Sequence, residues 1–147
     1  DPCLGIDAMS GVENPTKVKV FCDGGSRGNP GPSASGVVFL TTDDELLHAF
    51  HRFLGVRTNN YAEYDAVILA LEQLHEEGIE EADMYLDSEL VTRQLIGQYR
   101  VKHPDLKPLF ARVKELEVGL TLTYTHVLRE FNKLADEQVN ICLDART

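Results

Sequence analysis

The chain is poor in the residues that would staple a small fold or anchor it to a membrane. Its three cysteines, Cys3, Cys22 and Cys142, are odd in number, widely scattered and without a C-x-x-C pair. That excludes a disulfide framework and a zinc knuckle, and it makes a reducing, cytoplasmic setting the expectation. No apolar run approaches the roughly 20 residues needed to span a bilayer. The start lacks the basic and apolar regions of a secretory signal, so a soluble protein with no membrane partner is expected. Also missing are the nucleophile elbow G-x-S-x-G, the H-E-x-x-H zinc motif and the Walker Gly-Lys-Ser/Thr. Positive charge is scarce, with 14 Lys and Arg against 24 Asp and Glu and a net charge of −10. Such a balance argues against a protein that holds nucleic acid mainly by a basic surface.

What remains is an ordinary globular composition. The 147 residues, 43% hydrophobic and 26% charged, are enough for one domain with its own core. Residues 17–147 are expected to form it, with 1–16 an N-terminal extension. Met9 is a candidate natural start, which would make the first eight residues a cloning remnant or the end of a longer linker.

Val18, Val20 and Cys22 alternate with Lys19, Phe21 and Asp23, the period-2 pattern of a strand from Lys17 to Asp23. Gly24 to Pro32 reads as a turn-rich loop, followed by strands over Ser35–Thr41 and Leu46–Val56 around an Asp43-Asp44 turn. A helix from Asn60 to Gly78 carries Ala66, Val67, Ala70, Leu71 and Leu74 on one face. Next come a strand over Ala82–Leu86, a helix over Ser88–Tyr99, and a helix opened by Pro104 and Pro108 and ending near Val118. Thr121–Val127 is a fifth strand. Phe131–Leu143 is a closing helix with a stripe of Phe131, Leu134, Ala135, Gln138, Val139 and Cys142. The order βββαβααβα predicts an α/β fold: a mixed five-stranded sheet with an antiparallel meander of strands one to three, strands one, four and five parallel, and helices on both faces.

Four carboxylates stand out, each with a plainer alternative. Asp23 and Asp87 end the first and fourth strands, where ligands bind in open α/β sheets. Asp23 could equally open a turn, and Asp87 could cap the helix at Ser88. Glu63 lies on the core-facing stripe, although three residues after Asn60 it could belong to a capping box. Asp136, taken alone, is a solvated helix residue. Together, carboxylates from different elements suffice for Mg²⁺, which takes hard oxygen ligands. A pair of such ions can activate water and stabilise a leaving oxygen with no protein nucleophile. It would also make an acidic patch attractive to phosphate.

The stretches Asp23-Gly24-Gly25-Ser26-Arg27-Gly28-Asn29-Pro30-Gly31-Pro32, Thr58-Asn59-Asn60-Tyr61-Ala62-Glu63, Leu86-Asp87-Ser88 and His126 to Asp136 resemble, in this order, type 1 ribonuclease H. The resemblance covers Lys17 to Leu143 and implies that family's fold, with strand order 3-2-1-4-5. It implies an endonuclease that cuts the RNA strand of an RNA/DNA hybrid, leaving 5′-phosphate and 3′-hydroxyl ends. Two Mg²⁺ ions, or Mn²⁺ in their place, would be its cofactors, with no small-molecule cofactor and a monomeric protein. By position, Asp23, Glu63, Asp87 and Asp136 match the metal-binding quartet, and His126 matches the catalytic-loop histidine. Gly24, Gly25, Asn29, Asn59 and Asn60 match the substrate-binding loops, and Thr58 a contributor to the DNA-strand phosphate pocket. There are departures. No Gly-containing loop separates His126 from Asn132, Glu89 stands where a neutral Gln is common, and the basic, Trp-containing protrusion is missing. These leave open cleavage of double-stranded RNA or an RNA-DNA junction, and a non-catalytic binding module on the same fold.

Overall fold

A computed structural model describes residues 15–146. Cys3, Met9 and nearly all of the proposed N-terminal extension lie outside them. Five strands, β1 (Lys17–Ser26), β2 (Gly31–Leu40), β3 (Leu46–Arg57), β4 (Glu81–Leu86) and β5 (Thr121–His126), form one sheet in the order β3-β2-β1-β4-β5. β1, β2 and β3 pair antiparallel, and β1, β4 and β5 pair parallel. The helices are α1 (Asn59–Glu77), α2 (Glu89–Leu95), α3 (Lys107–Glu117) and α4 (Lys133–Asp144). The expected fold class is the observed one.

The β1 alternation works as its period requires. Val18, Val20 and Cys22 are buried with Ala66, Val67, Ala70, Leu71 and Leu74 of α1 in the main core. α1 lies on one face of the sheet and α3 packs on α1, whereas α4 lies on the opposite face across β1, β2 and β3. A second, small cluster of Ala34, Val139, Cys142 and Leu143 seals α4 to the sheet. Cys22 and Cys142 are both buried free thiols.

Several boundaries differ from the sequence reading. Gly24, Gly25 and Ser26 continue β1 rather than opening a loop, because β2 begins at Gly31 and pairs with them, Gly24 opposite Ser35 and Ser26 opposite Ser33. α2 ends at Leu95, short of Tyr99, as the chain turns through Gly97 at positive φ. The stripe of the last helix is also corrected. Residues Arg129–Phe131 form a separate 3₁₀ turn, and the helix starts only at Lys133. Phe131 is 64% exposed and Leu134 is exposed, while the polar Asn132 between them is 1% exposed. The interior hydrogen bonds of Asn132, described below, decide which residue of that turn faces inward.

Candidate active site

Asp23 and Asp87 come together through strand register. Cys22 pairs with Leu86 across the parallel β1–β4 ladder, so the two aspartates occupy the next position on neighbouring strands. β4 ends there while β1 runs on against β2, which opens a crevice at the carboxyl end of the sheet.

Two glycines bring the helices down onto this crevice from opposite faces. A Cβ on Gly24 would lie 2.1 Å from the carbonyl carbon of Ala62, and one on Gly36 would lie 2.5 Å from the carbonyl oxygen of Ala135. Ala62 precedes Glu63 in α1 and Ala135 precedes Asp136 in α4, so each close approach delivers one carboxylate. The Gly24 amide donates to Glu63 Oε1 at 2.9 Å.

The capping alternatives for Glu63 and Asp87 find no support. α1 is capped by Thr58, whose hydroxyl accepts from the Tyr61 amide, so Glu63 belongs to no capping box. α2 is capped by Ser88, whose hydroxyl accepts from the Val91 amide, so Asp87 is not its cap.

Oxygens of Asp23, Glu63 and Asp87 lie within 4.8 Å of one another. Asp136 lines the same cleft of about 480 Å³. Burial first, then the neighbouring Asp87 charge, pushes the Asp23 carboxyl up to about 7. Burial also holds Glu63 well above the carboxylate range, helped by Asp23 and Asp87. Glu63 Oε2 is buried with no hydrogen-bond partner. An orphaned carboxylate oxygen among like charges fits a divalent cation, which would relieve both the desolvation and the repulsion.

Gly24, Gly25, Asn59 and Asn60 line the cleft with the carboxylates. The other three sequence candidates lie outside that lining. Asn29 is exposed on the β1–β2 loop, where its Oδ1 accepts from the Asn59 amide at 3.0 Å. Thr58 lines a neighbouring hollow with Pro30, Arg57 and Tyr61. His126 ends β5, in register with Leu86 and exposed. Glu89 is paired with Arg93 at 2.8 Å and does not line the cleft.

Sequence reasoning missed Asn132 and Arg129. The Asn132 side-chain amide donates to the Cys22 carbonyl at 2.8 Å and to Asp87 Oδ2 at 3.1 Å, fixing that carboxylate against β1. Its position one helical turn before Asp136 was the available signal. Arg129 lines the cleft and had no signal beyond its place between His126 and Asp136.

Sheet order, helix placement and the acid-lined cleft define a ribonuclease H-like domain. A family model described as reverse transcriptase-like matches residues 21–142. The ribonuclease HI of Halobacterium salinarum is 40% identical over 95% of this chain and 70% of the relative. Its RNase H1 crystal structure superposes with a TM-score of 0.85, covering 88% of this chain and 98% of that one, at 40% identity. LC11-RNase H1, solved in complex with an RNA/DNA hybrid, gives 0.84 at 40% identity over 88% of this chain and 98% of that one. The bifunctional protein Rv2228c of Mycobacterium tuberculosis is also 40% identical, over 88% of this chain but 36% of the relative. The chain belongs to the ribonuclease HI family, and as an enzyme it is a ribonuclease H. Among the described residues, no helix is long and apolar enough to cross a membrane.

Proposed function

We propose that this cleft hydrolyses the RNA strand of an RNA/DNA hybrid to 5′-phosphate and 3′-hydroxyl ends, with residues 17–147 as a monomeric catalytic domain. The observation that carries the reading is the triad of carboxylates within 4.8 Å together with the orphaned Glu63 oxygen. Asp23, Glu63, Asp87 and Asp136 would hold two Mg²⁺ ions, for which Mn²⁺ can substitute. When bound, such ions would supply activation of a water and charge stabilisation at the leaving 3′ oxygen.

The chain's own residues set the geometry. Gly24 and Asn132 each fix one carboxylate oxygen, of Glu63 and Asp87 respectively, so those groups are oriented before substrate arrives. Asn29 and Asn59 spend their side-chain oxygens on the amides of Asn59 and Ser26. Their NH₂ groups are then left to donate to 2′-hydroxyls and sugar edges in the minor groove, and Asn60 can do the same. Gly25, which lines the cleft, puts no side chain between the strand backbone and a bound substrate. The Thr58 hydroxyl accepts from its own helix, leaving its proton for a DNA-strand phosphate. His126, exposed at the end of β5, would help water activation or product release.

The test is cleavage of a labelled hybrid with Mg²⁺, beside duplex RNA, duplex DNA and a single-ribonucleotide junction, with Asp87→Asn as control. Hybrid cleavage abolished by the substitution is the expected result. Equal rates for both proteins would remove Asp87 from the site, and faster cleavage of duplex RNA would change the substrate class.

A further inference from the structure

We propose that Asn140 is a positioning residue for Asp136, aiming that carboxylate at the metal site, and that Arg27 and Asp144 hold Asn140 to the task; the inference rests on the ribonuclease reading above. Asp136 lines the cleft but is the one acid of the four outside the group whose oxygens lie within 4.8 Å of one another. Its direction must be set from α4 itself. Along that helix Asp136, Asn140 and Asp144 follow one another a turn apart on one flank. The Asn140 side chain donates from Nδ2 to Asp136 Oδ2 at 3.4 Å, and its Oδ1 accepts from Arg27 Nη2 at 3.4 Å. Arg27 Nη2 in turn pairs with Asp144 Oδ1 at 2.7 Å. Guanidinium, amide and carboxylate thus run in one polarity, and only one setting of the amide serves both ends.

The same device recurs at two of the other acids. Glu63 Oε1 takes the Gly24 amide, and Asp87 Oδ2 takes the Asn132 side-chain amide. Among the described residues, no Lys, Arg or His forms an ion pair with Asp23, Glu63, Asp87 or Asp136. A cation set directly on such a carboxylate would compete with Mg²⁺ for it, whereas an amide occupies one oxygen and leaves the charge whole. Arg27 reaches Asp136 only through Asn140, and Asp144 draws its guanidinium towards the end of α4. Arg27 and Asp144 are both exposed, so their pair adds little stability. What it supplies is direction. Arg27 also stands two residues before Asn29 on the β1–β2 loop, so one clasp joins the substrate loop to a metal ligand.

The experiment titrates Mg²⁺ into wild type, Asn140→Ala, Asn140→Lys, Arg27→Ala and the variant combining Arg27→Ala with Asn140→Ala. Each titration is run by calorimetry without nucleic acid and again through the rate of hybrid cleavage, with metal-free melting beside it. Asn140→Ala is expected to raise the half-saturating Mg²⁺ concentration about 3- to 10-fold in both, with a much smaller change in kcat at saturating Mg²⁺. Its metal-free melting should stay as in wild type. Arg27→Ala should give a smaller rise by calorimetry, and the combined variant no more than Asn140→Ala alone, since Arg27 acts on the ligand only through the amide. Asn140→Lys should weaken Mg²⁺ binding further, because it sets a cation against the acid. The inference is overturned if Asn140→Ala binds Mg²⁺ as wild type does, or if the effects of Arg27→Ala and Asn140→Ala simply add. It is also overturned if Asn140→Ala changes only the KM for hybrid, the mark of a substrate contact. A wild type that binds Mg²⁺ but cleaves no hybrid sinks the ribonuclease reading, and the calorimetric comparison still decides this inference. A wild type that binds no Mg²⁺ with or without hybrid sinks both.

Discussion

Glu63 and Asp65 are two acids two residues apart on one helix, 5% and 8% exposed, and the molecule treats them in opposite ways. Asp65 is fully answered: Arg52 donates two hydrogen bonds to it, at 3.0 and 2.8 Å, and Ser35 donates a third at 2.8 Å. Glu63 receives one, from the Gly24 amide, and faces Asp23 and Asp87 with its other oxygen bare. Buried charges are costly unless paired. A buried acid with its partners belongs to the scaffold, and one left without them is waiting for something the chain does not contain.

The comparison breaks most visibly if the first acid is neutralised. Glu63→Gln is expected to lower hydrolysis of a labelled hybrid about a thousandfold or more. Metal-free melting should be unchanged or raised, since a disfavoured buried charge is gone. Loss of stability without loss of rate would make Glu63 another Asp65. Next in size is Gly24→Ala, whose methyl has no room against the α1 backbone. A cost of about 3 kcal/mol is expected in a denaturant titration, with activity lost because Glu63 moves. Asp65→Asn should do the reverse of Glu63→Gln. It should cost about 2 kcal/mol, less than a fully buried pair because the Arg52 side chain is 37% exposed, while the rate per folded molecule changes little.

The last effect is a pH dependence. The Asp23 carboxyl is raised from an ordinary 3.8 to about 7 in the folded protein. Between those values the native state binds more protons than the unfolded one, so this contribution is complete below pH 4 and is lost as pH rises through about 7. Metal-free protein should therefore melt a few degrees lower at pH 8 than at pH 5 on this account. Mg²⁺ should raise the melting temperature more at pH 8, where no proton competes for the oxygens. A metal-induced shift equal at both values would show that these acids are ionised without the ion.

Much of this was legible in the chain. Two periodicities, in β1 and α1, placed the core, and the order of elements gave the sheet. Asp23 and Asp87 could be read as strand-end acids because that position is defined by sequence alone. Asp136 could not be, because its place depends on how deeply α4 settles, and Gly36, a strand residue 100 positions earlier, sets that depth. Phe131 misled for a related reason. Apolar character argued for burial, but the hydrogen bonds of Asn132 to a distant carbonyl and carboxylate turned the polar neighbour inward. Glu89 read as an added negative charge near the substrate, and only the structure places Arg93 beside it.

The paired glycines, Gly24 and Gly36, have a consequence for how this domain can change. They let helix, sheet and helix meet backbone to backbone where the chemistry sits, so the spacing between carboxylates on its two faces is a main-chain dimension. Core side chains elsewhere can trade volumes and leave that dimension untouched. One added methyl at either glycine pushes those backbones, and with them two acids, apart. Drift in this protein should thus be free in the hydrophobic interior and arrested at two residues that have no side chain at all.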